Sequence, residues 1–235
     1  RFCLPRPSHG KQMKKAIDLT LPIVTGHWRY PNVIRPFKSM DEGEASNITY
    51  YELRSHWFTH IDFPRHMQAD GKTSDDYAAE TFLCDVYFAD VSTVNANEAI
   101  DKSKLAAVMG DYKGEAAIFI KTSWGSKTPW DSMDFWDSAP YLTRDAAEYI
   151  RSFEPSIVGY DFPQDYDIRK LRYVEDEKLL DMVTHEVLLK NGILMIEYMT
   201  NMWEVTAKSA RLYALPLNMY HADGAQIRVL VEYDT

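Results

Sequence analysis

The sequence predicts an α/β fold, and three observations carry that expectation. Four short runs, "VYFADVS" (86–92), "AAIFIKT" (116–122), "SIVGYD" (156–161) and "ILMIE" (193–197), are rich in β-branched and aromatic residues and apolar on both faces, as buried strands are. Helical patterns lie between them, and strands alternating with helices build an α/β layer. With 235 residues, 46% of them hydrophobic, the chain can bury one sizeable core, and no repeat, low-complexity tract or linker divides it.

The elements follow in chain order. Met13 opens "MKKAIDLT", which reads as a natural start, so residues 1–12 are expected to be a tag or disordered extension and 13–235 the domain. After the strand at 86–92, a helix is expected from Asp101 to Met109. The stretch "SWGSKTPWDSMDFWDSAPY" (123–141) carries three tryptophans and two prolines without usable periodicity, so it reads as a long loop. Two roles stay open for it: a wall or lid over a substrate, or an aromatic-stapled surface loop. A second helix runs from Thr143, as N-cap, to Phe153, with Asp145 in its first turn. A third spans Glu177 to Asn191, with Gly192 at its C-cap side. The last third holds two extended segments around Ala222-Asp223-Gly224, an antiparallel addition to the sheet.

Composition narrows the partners. A formal charge of −9, with lysines and arginines scattered rather than gathered in a stripe, argues against nucleic acid. No apolar run approaches the roughly 18 to 20 residues that span a bilayer, and the first residues lack the apolar core of a secretory signal. A small-molecule partner and a cytoplasmic location are therefore expected. Cys3 and Cys84 show no C-x-x-C spacing and are expected to be free thiols.

The chemistry concentrates in "HWFTHIDFPRH" (56–66), which holds three of the chain's seven histidines. His56 and His60 have helical spacing, but Thr59 and Ile61 are β-branched and Pro64 pushes Phe63 out of the α region. In an extended chain His60, Asp62 and His66 share one side, with Pro64 bending the strand. Imidazole and carboxylate together suit Zn²⁺, Mn²⁺ or Fe²⁺. Solvated loop histidines are the bland alternative. Closing a site needs ligands from elsewhere, and beyond the stretch His27, His185 and His221 remain in the presumed domain. Glu197 ends an otherwise apolar strand, where a buried acid needs a compensating charge.

These residues match a known pattern. The chain resembles the cyclase-type metal-dependent hydrolases, which include bacterial kynurenine formamidase and isatin hydrolase. Their signature H-x-G-T-H-x-D-x-P-x-H appears here as His56, Thr59, His60, Asp62, Pro64 and His66. The likeness continues through "AIDLTLPI", "AAIFIKTSW", "LTRDAAEYI" with "VGYDFP", "HEVLLKNGILMIEYMTN" and "LYALPLNMYHADGAQIRVLV", in family order. It implies the swivelling β/β/α type of α/β fold and a homodimer or homotetramer. It also implies one or two divalent ions, Zn²⁺ or Mn²⁺, held by His56, His60 and Asp62, with Asp62 bridging to a second ion on His185 and Glu197. His66 matches the family's general acid/base and Trp28 a substrate-contacting tryptophan, although "RYP" replaces the usual P-G-D beside it. Two departures stand out: Phe58 occupies the signature's glycine position, where it is expected to shape the substrate pocket, and Gln164 replaces a serine.

The implied activity is an arylformamidase-like amidohydrolase that cleaves a carbon–nitrogen amide bond. Divalent ions bring the pKa of water to roughly 7, and a positioned imidazole supplies the proton a departing amine needs. The aromatic supply around the motif points to an N-formyl aryl amine or related amide. A hydrolase of cyclic amides or lactones, isatin-like, is the alternative enzyme, and a non-catalytic metal or small-molecule binder the alternative outside catalysis.

Overall fold

The computed structural model describes residues 14–173, 178 and 180–235. The 1–12 extension, Cys3 and the expected helix start at Glu177 lie outside them.

Twelve strands are present among the described residues, numbered here in chain order: β1 (Lys14–Asp18), β2 (Val33–Lys38), β3 (Ile48–Glu52), β4 (His60–Asp62), β5 (Leu83–Asp90), β6 (Ala99–Ile100), β7 (Ala117–Lys121), β8 (Tyr141–Leu142), β9 (Ile157–Tyr160), β10 (Leu194–Glu197), β11 (Ser209–Pro216) and β12 (Gly224–Asp234). The main sheet runs β1-β12-β11-β5-β7-β9-β10-β4, and β12 pairs back onto β4. Seven strands therefore close into a barrel-like ring, with β1 continuing beside the far half of β12. β5, β7, β9 and β10 are mutually parallel, while β11, β12 and β4 join antiparallel. This is the expected mixed α/β arrangement, including the antiparallel C-terminal addition. Two-stranded sheets β2–β3 and β6–β8 stand apart from the ring.

Side-chain alternation explains why the central strands are apolar on both faces. Ala117, Phe119, Ile157, Leu194 and Ile196 point into the ring with Ile61, Val86 and Val229, whereas Ile118, Ile120, Val158, Tyr160 and Met195 point outward beneath the helices. Helix α1 (Lys102–Val108) starts at Asp101, whose carboxylate accepts from the Lys104 N–H at 2.9 Å. Helices α2 (Trp124–Lys127) and α3 (Met133–Asp137) follow β7. Thr143 sits at the N-cap of α4 (Arg144–Arg151), although its hydroxyl donates to Asp145 and the Ile100 carbonyl instead of capping a first-turn N–H.

Three sequence expectations change. The described part of the third helix is a single turn-and-a-half, α5 (Val183–Val187), followed by a 3₁₀ turn at Leu189–Asn191. Leu188, at φ −103° and ψ −62°, joins the two pieces, and Gly192 ends the segment in the left-handed region at φ 84°. The 123–141 stretch is not a plain loop, because α2 and α3 bury Trp124 and Trp136. His66 reaches its place through a 3₁₀ turn, Pro64–His66, with Pro64 at the first position where its fixed φ suits a turn. Cys84 is a free cysteine on β5. No helix among the described residues is long and apolar enough to cross a membrane.

Candidate metal centre

β4 and β10 lie antiparallel, and their register sets Glu197 opposite His60 and Met195 opposite Asp62. The residues between, Ile61 and Ile196, enter the ring core. One period-2 alternation thus buries the apolar half of β4 and turns its polar half outward, toward α5 and the residue at its middle, His185. Thr59 fixes the start of β4: its hydroxyl donates to the Tyr198 carbonyl at 2.7 Å and accepts from the Leu21 N–H at 2.8 Å.

The ligand-capable atoms converge. Three groups bring one atom from each member within 4.8 Å of one another: His56, His60 and Asp62; Asp62, His185 and Glu197; and His56, His66 and Asp223. His60 Nε2 lies 3.1 Å from Asp62 Oδ1 and 3.8 Å from Glu197 Oε2, and His185 Nε2 lies 3.7 Å from Asp62 Oδ2 and 3.5 Å from Glu197 Oε1. The His66 ring lies tilted against His56 with centroids 3.8 Å apart, and its centroid is 5.6 Å from that of His185.

The orienting contacts decide which nitrogen faces inward. His60 Nδ1 donates to the Phe58 carbonyl at 2.8 Å; a carbonyl only accepts, so the Nε2 lone pair is left for the centre. His185 Nδ1 bonds the buried Asp165 carboxylate at 2.7 Å, and Asp165 also accepts from the N–H and hydroxyl of Thr184. Gln164 donates to Glu197 and to Thr184. His56 bonds carboxylates on both sides, Asp62 at 2.6 Å and Asp223 at 3.0 Å. Gly224 leaves room for that ring, since a Cβ there would meet His56 Cε1 at 2.5 Å.

Electrostatics show a centre that wants cations. Burial opposes a charge on His56, yet Asp62 and Asp223 outweigh it and lift the imidazole to about 10. Burial opposes a charge on His185 too, and Asp165 and Glu197 raise it to about 9. Asp62 is held well below the usual carboxylate range despite full burial, because His60 and His56 face it, while burial and then Asp62 push Glu197 up. His66 goes the other way: burial first, then the neighbouring imidazoles, bring it to about 4, so it is neutral at neutral pH.

The residues fit a divalent ion on two counts. His60 Nε2 and Asp62 Oδ2 are buried with no hydrogen-bond partner among the described residues, which costs roughly 1–3 kcal/mol for each such group unless something binds it. Imidazole nitrogens with carboxylate oxygens, and no thiolate, are also the donor set of hydrolytic zinc, manganese or iron.

All five expected ligands and His66 thus meet in one place. They floor a cleft of about 860 Å³, which Trp28 also lines. Phe58 does not: contrary to expectation, its side chain is fully buried, packed on Tyr30 at 4.7 Å and His27 at 6.0 Å behind the cleft wall. Its φ of 57° explains the glycine of the signature, because the backbone must take a left-handed turn there for its carbonyl to meet His60. The 123–141 tryptophans also stay out of the cleft; Trp136 packs behind it on Tyr198 at 4.8 Å and Trp130 stacks on His27 at 5.2 Å. His221 is exposed beside Asp75. The orienting carboxylates Asp165 and Asp223 escaped the sequence reading, and the only signal for Asp223 was its place in the Asp-Gly turn.

Comparisons with known proteins agree with this architecture. The Cyclase family model, described as "Putative cyclase", matches residues 17–164, more than half of the chain. Kynurenine formamidase of Bacillus cereus is 26% identical over 220 residues, covering 92% of this chain and 96% of that protein. Isatin hydrolase A from Labrenzia aggregata, solved bound to benzyl benzoate, superposes with a TM-score of 0.75 at 18% identity, covering 94% of both chains. A structure described as a potential metal-dependent hydrolase with cyclase activity superposes at 0.69 with 22% identity, over 94% of this chain and 98% of that one.

Proposed function

Because the chain belongs to the Cyclase family and carries this centre, we propose that it is a metal-dependent hydrolase of carbon–nitrogen amide bonds, acting on an N-formyl aryl amine or a related amide. The observation that carries the reading is the convergence of His56, His60, Asp62, His185 and Glu197 on the floor of an open cleft, with buried donor atoms left unsatisfied. His56, His60 and Asp62 would hold one ion, and Asp62, His185 and Glu197 a second. Zn²⁺ and Mn²⁺ are the proposed metals. When bound, a divalent ion supplies acidification of water and polarisation of the amide carbonyl.

The chain's own residues do the rest. Neutral His66 takes a proton from the attacking water and returns it to the amide nitrogen, which leaves only once protonated. Asp165 and the Phe58 carbonyl keep His185 and His60 in the tautomer and orientation the centre needs. Trp28 and Trp57 line the cleft as faces for a planar group.

We further propose a cytoplasmic homodimer or homotetramer. Support for the assembly is the β2–β3 ribbon, whose strands expose Phe37, Ile48 and Tyr51 and whose connecting turn exposes Met40, although an isolated two-stranded ribbon is marginal alone. The test of the activity strips the protein with chelator and reloads it with Zn²⁺ or Mn²⁺ before assay on formanilide, isatin and a simple lactone. Formanilide turnover only in reloaded protein is expected; equal turnover in stripped protein contradicts the reading.

A further inference from the structure

We infer that Gln164 is a positioning residue for the second of the two ions: it ties that ion's own ligands, Glu197 and His185, into one hydrogen-bonded chain and so sets the affinity of that position alone. The inference rests on the metal-dependent hydrolase reading and adds a residue to which that reading gives no part.

Gln164 lies in the loop after β9, fully buried, and its backbone carbonyl accepts from the Leu142 N–H at 2.8 Å. Its amide nitrogen donates one hydrogen to Glu197 and the other to the Thr184 hydroxyl at 3.3 Å. Hydrogen counting fixes these directions. Thr184 has a single hydroxyl hydrogen, which goes to the Asp165 carboxylate at 2.8 Å, a group that only accepts. Toward Gln164 the hydroxyl oxygen must therefore accept, so the nitrogen of the amide, not its oxygen, faces Thr184. Asp165 accepts in turn from His185 Nδ1 at 2.7 Å, which leaves His185 Nε2 for an ion. The chain runs Glu197–Gln164–Thr184–Asp165–His185, and both of its ends are ligands of the same position.

Two further observations single out Gln164. Its Oε1 is buried with no hydrogen-bond partner among the described residues, a cost to stability that accompanies turning both amide hydrogens toward Glu197 and Thr184. It also stands where the G-x-D-x-P-S stretch of the family has serine. A serine hydroxyl carries one hydrogen and cannot donate to Glu197 and Thr184 at once, so the double link belongs to this chain. The first position is held by other means: the Phe58 carbonyl orients His60, and Asp223 bonds His56. A change at Gln164 thus reaches one ion and spares the other.

The test titrates metal-free wild type, Gln164→Met and Thr184→Val with Zn²⁺ by calorimetry, with thermal melting of the metal-free proteins beside it. Methionine keeps the length of glutamine and donates nothing; valine keeps the shape of threonine without the hydroxyl. Groups that orient a ligand from behind are worth about 10–100-fold in metal affinity. We expect Gln164→Met to weaken one of two binding events by that factor and leave the other unchanged, with its melting temperature kept. Thr184→Val should weaken the same event by less. Unchanged affinity for both ions, or equal weakening of both, overturns the inference and leaves the metal centre standing. Should wild type take a single ion, weakening by Gln164→Met supports the inference and unchanged affinity overturns it. If Gln164→Met does not fold, Thr184→Val decides by the same criteria. Wild type that binds no Zn²⁺ removes the hydrolase reading and the inference with it.

Discussion

Residues 56–66 build two neighbouring regions under opposite rules. His56, His60, Asp62 and His66 turn to the cleft, where ligand-capable atoms gather in groups of three within 4.8 Å and some buried ones lack partners among the described residues. Phe58, Ile61 and Phe63 turn away, fully buried in apolar packing. The floor gives up stability to hold donors ready, since unsatisfied buried polar atoms and close like charges both cost free energy. The aromatic side supplies the rigid backing that keeps those donors from relaxing toward one another. Changes on the two sides should therefore read out differently, the first in metal and turnover, the second in stability.

His60→Ala tests that division most severely. Losing this ligand should abolish stoichiometric metal by elemental analysis and cut turnover by about 10³-fold or more, with little loss of melting temperature in the metal-free protein. Phe58→Ala should do the reverse: stability falls by about 3–5 kcal/mol in denaturant titration while metal content holds. Phe58→Gly should recover about 1 kcal/mol of that loss, because φ at this position is 57° and glycine takes it without strain. Metal loss in Phe58→Ala at full stability would erase the distinction.

Acidity sharpens it further. His56 and His185, at about 10 and 9, hold protons at neutral pH in metal-free protein, and an ion must displace them. Metal affinity should thus rise between pH 6 and 8, by about tenfold per pH unit for each proton released. Both values lie above the ordinary 6.5, so in metal-free protein these histidines add stability that is complete below 6.5 and is lost as pH climbs through 9 to 10. A flat affinity profile in calorimetry would mean the imidazoles are not ligands. The smallest floor effect belongs to Asp165→Asn, which loosens His185 and should weaken metal binding about 10–100-fold without removing it.

The two regions also differ in how readable they were. Metal chemistry demands particular residue types, so the spacing of His56, His60, Asp62 and His66 announced itself, and the apolar run ending in Glu197 marked a strand tip with a purpose. The parallel strands were legible because alternation in a two-sided core leaves both faces apolar. Phe58 was not legible: a large aromatic beside a site looks the same in sequence whether it points into the cleft or away, and its backbone φ decides which. Nor was the 123–141 stretch, whose short helices carry too few turns for a periodic signal. Asp165 is an ordinary aspartate until α5 carries His185 to within 2.7 Å of it.

The central claim is that binding a metal and moving a proton are separate tasks given to different histidines. Elemental analysis and formanilide turnover measured side by side on wild type and His66→Ala test it most directly. The account predicts equal metal content in both proteins, with turnover in His66→Ala reduced about 10²–10⁴-fold. A variant that keeps its metal and turns over at the wild-type rate would contradict it.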